Sequence, residues 1–214
     1  PRLLFLPTAS SDSESYYEIV KEYFGKRLGC AVNVLFFLKK KYKREEIEKK
    51  IFESDIIYVG GGNTLKMMNT WRKLGIDTIF REAARRGIVL SGVSAGAICW
   101  FSFGSSDSRR FTTKNTPMIR VRGLGFVEGL FCPHYHFEKK RKPELKRIMK
   151  STPGVGIALE NCSAIEILGD TYKIITSKKT ANAYKVYWKD GKYHEKKITK
   201  QKEFLPLKEL FTKS

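Results

Sequence analysis

Short apolar runs alternate with amphipathic stretches through the first hundred residues, so strands and helices are expected in turn. RLLFLP (2–7) reads as a buried strand that ends in a Ser-rich loop. From Ser13 to Leu28, the apolar residues Tyr16, Val20, Tyr23, Phe24 and Leu28 recur near helical spacing. AVNVLFFL (31–38) is a second strand, KREEIEKKIF (43–52) a charged amphipathic helix and DIIYVG (55–60) a third strand. A glycine turn then opens a helix with Leu65, Met68 and Trp71 on one face. IDTIFREAARRG (76–87) is a helix stopped by Gly87. IVLSGVS (88–94) is a fourth strand, and AGAICWF continues it as a helix. Strands and helices in alternation predict a mostly parallel sheet covered on both faces, the three-layer α/β sandwich.

The pattern changes after residue 102. GSSDSRRFTTKNT reads as a mobile polar loop. GLFCPHY (129–135) is a further strand, and a Lys-rich helix runs through 143–150. GIALE (156–160), SAIEIL (163–168), TYKIIT (171–176) and AYKVYWKDGKYHEKKI (183–198) are short β segments. Asp190-Gly191 between alternating strands is a hairpin signal. The C-terminal third is therefore expected to add antiparallel strands beside the parallel sheet. With 214 residues and no linker or repeat, one domain over 1–214 is the expectation.

The segment IVLSGVSAGA carries the first chemical signal. A strand runs into Gly92-Val93-Ser94-Ala95-Gly96 and a helix follows, the GxSxG nucleophile-elbow pattern in its proper context. Such a serine sits on a sharp turn with its hydroxyl exposed, and the glycines let strand and helix approach. The N–H of Ala95 can then face an oxyanion. The competing reading makes Ser94 a plain helix N-cap, a role that requires neither glycine. Gly60-Gly61-Gly62-Asn63-Thr64 forms a second strand-to-helix turn, and the Gly62 N–H is a candidate second oxyanion donor. No phosphate-loop motif is present.

A serine nucleophile needs a base. The chain has three histidines. His194 lies on the exposed-looking hairpin. His134 and His136, in CPHYH, are two apart and can face one cleft. His134, restrained by Pro133, is the favoured base and His136 the fallback. Glu160, at the end of GIALE, leads as the carboxylate that orients the imidazole, with Glu166, Asp107 and Glu128 as competitors.

VGGGNT (59–64), SGVSAGA (91–97), PHY (133–135) and ALEN (158–161) together resemble the signatures of peptidase family S51, the dipeptidase E (aspartyl dipeptidase) group to which cyanophycinase is related. The resemblance spans roughly residues 1–170. It implies a fold similar to class I glutamine amidotransferases, with Ser at the position where those enzymes carry Cys. It also implies a triad of Ser94, His134 and Glu160, oxyanion donors at Gly62 and Ala95, hydrolysis of small peptides through an acyl-enzyme, and no cofactor or metal. In dipeptidase E an Arg after the catalytic His grips the substrate's N-terminal Asp. Alignment places Glu144 there, with Arg141 near but shifted, and PHYHFEKKRK is shorter than the family's loop. Asn63, His136 and Arg141 are the candidate substrate-binding residues. The alternative is a non-catalytic binding or regulatory protein on the same fold.

Composition adds one unusual feature, a net charge of +19 from 41 Lys and Arg against 22 Asp and Glu. The densest cluster is KKRK (139–142) with Lys146, Arg147 and Lys150. A solvated surface ranks first, steering of acidic peptides second, and nucleic acid a distant third, since no binding signature accompanies the charge. Cys30, Cys99, Cys132 and Cys162 form no metal or redox spacing and read as reduced thiols. No apolar run approaches the about 18 residues of a membrane span, and no leader is evident, so a cytoplasmic protein without membrane contact is expected. An exposed antiparallel edge makes a homodimer conceivable.

Overall fold

The strands of the N-terminal half pair side by side in one direction. In the computed structural model, which describes residues 1–137 and 139–213, they are β1 (Arg2–Leu6), β2 (Ala31–Val34), β3 (Ile56–Val59) and β4 (Val89–Gly92). Their order is β2-β1-β3-β4, with every pair parallel. The connecting helices are α1 (Glu14–Val20), α2 (Arg44–Phe52), α3 (Thr64–Leu74), α4 (Asp77–Arg85) and the single turn α5 (Ala95–Ile98). Successive side chains of β1 point to opposite faces. Leu3 and Phe5 pack with Val20, Tyr16 and Phe24 from the α1 side. Leu4 and Leu6, equally buried, face the other way. These residues belong to a compact unit, Pro1–Trp100.

The second unit, Phe101–Ser214, holds a mixed sheet and a small antiparallel one. Its strands are β5 (Phe101–Ser106), β6 (Ile119–Arg122), β7 (Val127–Cys132), β8 (Gly156–Leu159), β9 (Ser163–Leu168), β10 (Thr171–Thr176), β11 (Ala183–Lys189), β12 (Lys192–Ile198) and β13 (Leu205–Pro206). Helix α6 (Arg141–Met149) lies between β7 and β8, and α7 (Leu207–Phe211) follows β13. The six-stranded sheet runs β12-β11-β8-β7-β5-β6, parallel across β5, β7 and β8 and antiparallel outside them. The expected hairpin is present. Asp190 and Gly191, both at positive φ, turn β11 into β12 with Lys189 opposite Lys192. The α/β class and the antiparallel strands towards the C-terminus match the sequence reading.

Three boundaries differ from it. The strand expected over 31–38 ends at Val34, although Leu35, Phe36 and Phe37 are buried. Their backbone finds partners outside a ladder: Leu35 N–H donates to Phe5 O and Phe36 N–H to the Tyr42 hydroxyl, and the following Leu38 and Lys39 N–H groups donate to the Asp12 carboxylate. An apolar run can thus be buried as a loop once its polar groups are satisfied. The helix expected over Ser13–Leu28 is α-helical only to Val20 and continues as a π-helix over Lys21–Arg27. The helix expected through AGAICWF stops at Ile98. Phe101–Ser106 is an inner strand, where a polar loop was expected to begin. Its buried serines are satisfied locally, Ser106 by Ser108 at 2.7 Å and Ser105 by Met118 Sδ at 3.5 Å. Among the described residues no helix is long and apolar enough to cross a membrane.

Candidate active site

The Ser94 bend lies in the first unit, at the carboxyl ends of β3 and β4. Val59 pairs with Gly92, and Val93 N–H donates to Val59 O, so the chain leaves β4 hard against β3. Ser94 then takes φ 54° and ψ −112°, a conformation that costs an L-residue energy and that surrounding structure must impose. Space explains the glycines. A Cβ on Gly92 would stand 2.3 Å from Gly96 O, and one on Gly96 would stand 2.0 Å from Val59 O. The Ser94 side chain makes no capping hydrogen bond, so the plain N-cap reading fails. Ala95 opens a helix of only four residues, which contributes a terminal N–H and little macrodipole.

The glycine turn after β3 adjoins this bend. A Cβ on Gly61 would lie 3.4 Å from Ser94 Cβ. Gly62 has φ +137°, and its Cα faces the Ala9 backbone so closely that a Cβ would meet Ala9 O at 2.2 Å. Only glycine fits there. Gly61 N–H donates to the Tyr16 hydroxyl, and the Tyr16 ring packs where a Gly60 Cβ would be. Burial pushes the neighbouring Tyr58 phenol up to about 12, which keeps it protonated beside Tyr16. The sequence reading had treated Tyr16 as a helix-face residue only. Asn63 is the N-cap of α3, and its Oδ1 accepts Lys66 N–H at 2.9 Å. That oxygen is therefore occupied, whatever Asn63 contributes to substrate.

The imidazoles lie in the second unit, just past the carboxyl ends of the parallel neighbours β7 and β8. Pro133 has no N–H to extend β7, and His134 follows at φ 56°. Tyr135 N–H donates to Leu159 O, which pins the turn to the end of β8. The expected pairing of His134 with Glu160 is not the one formed. His134 Nδ1 lies 2.6 Å from Asn161 Oδ1, while Glu160 Oε1 lies 2.6 Å from His136 Nδ1. Glu160 is also held by Tyr184 OH at 3.2 Å, Asn182 N at 2.9 Å and Asn182 Nδ2 at 3.2 Å. Its two oxygens thus meet Asn182, Tyr184 and His136. The His136 ring stacks on Tyr135 at 4.8 Å and tilts against Tyr184 at 5.1 Å. Burial and then the Glu160 charge raise the Tyr184 phenol, so it remains a donor.

The remaining candidates fall elsewhere. Arg141 is 2% exposed, with Asp107 at 3.7 Å, and is no open handle for a substrate carboxylate. Asp107, a competitor for the imidazole, lies against Arg141 through Oδ2. Glu166 faces Lys173 across the β9–β10 ladder. His194 stacks on Tyr187 in the hairpin. Two features missed in the sequence, Asn161 and Tyr184, had visible cues: one follows Glu160 directly, and the other is inward-facing at the start of β11.

Comparison with known proteins agrees with these motifs. Residues 1–175 match the model of peptidase family S51. The chain is 37% identical over 188 residues to the uncharacterized peptidase YgaJ of Bacillus subtilis, covering 87% of this chain and 78% of that one. Peptidase E of Streptomyces coelicolor is 23% identical over 180 residues, 79% of this chain and 69% of that one. The crystal structure of a peptidase from an acI-B1 Actinobacterium aligns with a TM-score of 0.68 at 20% identity, over 96% of this chain and 83% of the other. At that identity the likeness is one of fold.

Proposed function

The chain belongs to peptidase family S51, a family of serine peptidases, and on that premise we propose that it hydrolyses short peptides through an acyl-enzyme on Ser94. The observation that carries this reading is the Ser94 bend. A strained serine at φ 54°, with a hydroxyl spared from capping, sits beside a glycine turn that nothing larger could form. Ser94 Oγ attacks the scissile carbonyl as His134 Nε2 takes its proton. The N–H groups of Ala95 and Gly62 hold the oxyanion. The imidazolium returns the proton to the leaving amine as the C–N bond breaks. Water, deprotonated by the same imidazole, then attacks the ester carbonyl and frees the acid and Ser94.

A preference for an acidic N-terminal residue is supported only by the charge of +19, which concentrates anions near the protein. The buried Arg141 does not add to it. The test is labelling with a fluorophosphonate and turnover of a panel of Asp-X and neutral dipeptides. Wild type should label and cleave, and Ser94→Ala should do neither. Equal labelling of the two proteins rules the proposal out.

A further inference from the structure

Three consecutive glycines make a turn that must be held from outside. None of Gly60, Gly61 and Gly62 carries a Cβ to bias its backbone, and each can take either sign of φ without steric cost. The ends of the turn are tied to backbone oxygens. Gly60 N–H donates to Leu6 O at 3.1 Å, and Asn63 N–H donates to Ala9 O at 2.8 Å. Between them, Gly61 N–H donates to the Tyr16 hydroxyl at 3.4 Å. We infer that Tyr16 is the positioning residue of the oxyanion turn. Its hydroxyl fixes the peptide plane before Gly61 and, through it, the direction of the Gly62 N–H. This rests on the reading of Ser94 as nucleophile and Gly62 as oxyanion donor.

Tyr16 is itself held from several sides. Ser13 Oγ accepts Tyr16 N–H at 3.2 Å, which sets the residue in the first turn of α1. The ring meets Phe5 of β1 edge-on, with centroids 5.1 Å apart. It also fills the space that a side chain on Gly60 would need, its edge 2.9 Å from the position of that Cβ. The Tyr58 hydroxyl of β3 is hydrogen-bonded to the Tyr16 hydroxyl. Tyr58 keeps its proton, chiefly through burial, so Tyr58 donates and the Tyr16 oxygen accepts. The Tyr58 ring stacks in turn on Phe5 at 5.9 Å. The oxygen that receives Gly61 N–H is thus placed by β1 and β3. Gly61 in turn lies against the nucleophile, since a Cβ there would stand 3.4 Å from Ser94 Cβ.

A hydroxyl that acts through Gly61 leaves a kinetic signature. Without it, the Gly61–Gly62 peptide is free to turn its N–H away from the oxyanion. That N–H bonds the developing charge more strongly than it bonds a neutral carbonyl, so the loss falls on kcat and spares KM. A fluorophosphonate places an oxygen in the same hole, so labelling slows with kcat. The effect is smaller than the roughly 100-fold or more that outright loss of a donor costs, because the Gly62 N–H is still present.

The test is Tyr16→Phe, which keeps the ring and removes the acceptor. Tyr17→Phe is the control. It stands next on α1 and loses a bond of the same length, from the Tyr17 hydroxyl to Val32 O at 3.4 Å, away from the glycine turn. Tyr16→Phe should slow labelling, and lower kcat on the best dipeptide of the panel, by about tenfold with KM unchanged. Hydrogen exchange at the Gly61 amide should speed up by a similar factor. Tyr17→Phe should match wild type in all these readings. Labelling of Tyr16→Phe at the wild-type rate, or a loss that Tyr17→Phe equals, would overturn the inference. If wild type itself fails to label, the reading of Ser94 falls. Gly61 exchange then decides the inference by itself: faster exchange in Tyr16→Phe supports the hold on the turn, and unchanged exchange refutes it.

Discussion

Replacing Gly96 with alanine puts a methyl carbon where the backbone of β3 already stands. The added Cβ would lie 2.0 Å from Val59 O and 2.5 Å from Val59 C. Ordinary carbon–oxygen contacts are about 3.3 Å or longer, so the shortfall is about 1.3 Å. Val59 cannot give way, because β3 is paired with β1 on one side and β4 on the other. The move must come from the turn that carries Ser94. Overpacking of this kind costs about 3 kcal/mol or more. For a chain of this length that lowers the melting temperature by about 6 to 12 °C. A displacement of about 1 Å at Ser94, the proposed nucleophile, should also slow fluorophosphonate labelling on the order of 100-fold. The control is Gly25→Ala, whose Cβ would meet Val32 Cγ2 at 3.6 Å, an ordinary contact within a helical segment. There the lost chain freedom should add about 0.5–1 kcal/mol and leave labelling unchanged. Thermal melts and labelling time courses on the three proteins decide the matter. A Gly96→Ala protein that melts within about 2 °C of wild type and labels at its rate would refute the argument that elbow packing dictates these glycines.

Asp12 offers a test by pH. It is buried, with one oxygen accepting Leu38 N–H at 2.5 Å and Lys39 N–H at 3.0 Å, and the other left without a partner. Burial outweighs those bonds and raises its pKa above the usual 3.8. The folded state then binds the proton more tightly than the unfolded state, so stability is lost as pH rises through the folded pKa and regained as pH falls. Asp12→Asn lacks this term. Urea melts between pH 7 and pH 4 should show wild type gaining on the variant as the pH drops, and a gap moving the other way would count against it. Trp71 anchors the helical layer over the parallel sheet, fully buried, with Nε1 donating to Thr8 Oγ1 and its ring 5.0 Å from Phe80. Trp71→Ala should cost about 3–5 kcal/mol by urea denaturation, and a loss under 1 kcal/mol would show that the layer collapses around the gap.

How much of this was legible along the chain depends on whether a local rule or a distant partner decides each element. The strands of the N-terminal half are short and apolar on both faces, which is a local signature of a parallel sheet, and β1, β3 and β4 fall where the pattern places them. Asp190-Gly191 is local too, because the turn needs positive φ at both positions. Leu35–Phe37 misled the pattern because their backbone is satisfied outside a strand ladder, Leu35 N–H by Phe5 O, thirty residues back, and Phe36 N–H by the Tyr42 hydroxyl. Phe101–Ser106 misled it in the opposite sense. Small hydroxyl residues look like a loop in sequence, yet they fit between two paired strands when each hydroxyl bonds a neighbour.

The same distinction governs the site. The Ser94 bend is written in five consecutive residues, and both flanking glycines are explained by contacts under 2.5 Å that no other residue could make. The imidazole partners are not written locally. Spacing brings His134, His136, Glu160 and Asn161 to the ends of two neighbouring strands, and at that level any of four pairings satisfies the pattern. What selects among them is β11, whose Tyr184 and adjoining Asn182 arrive more than twenty residues later and claim the Glu160 oxygens. With the carboxylate turned towards β11 and His136, the imidazole after Pro133 is left with the amide beside it. A motif can therefore specify which groups gather at a strand end, whereas the hydrogen bonds among them follow from whichever neighbouring strand completes the sheet.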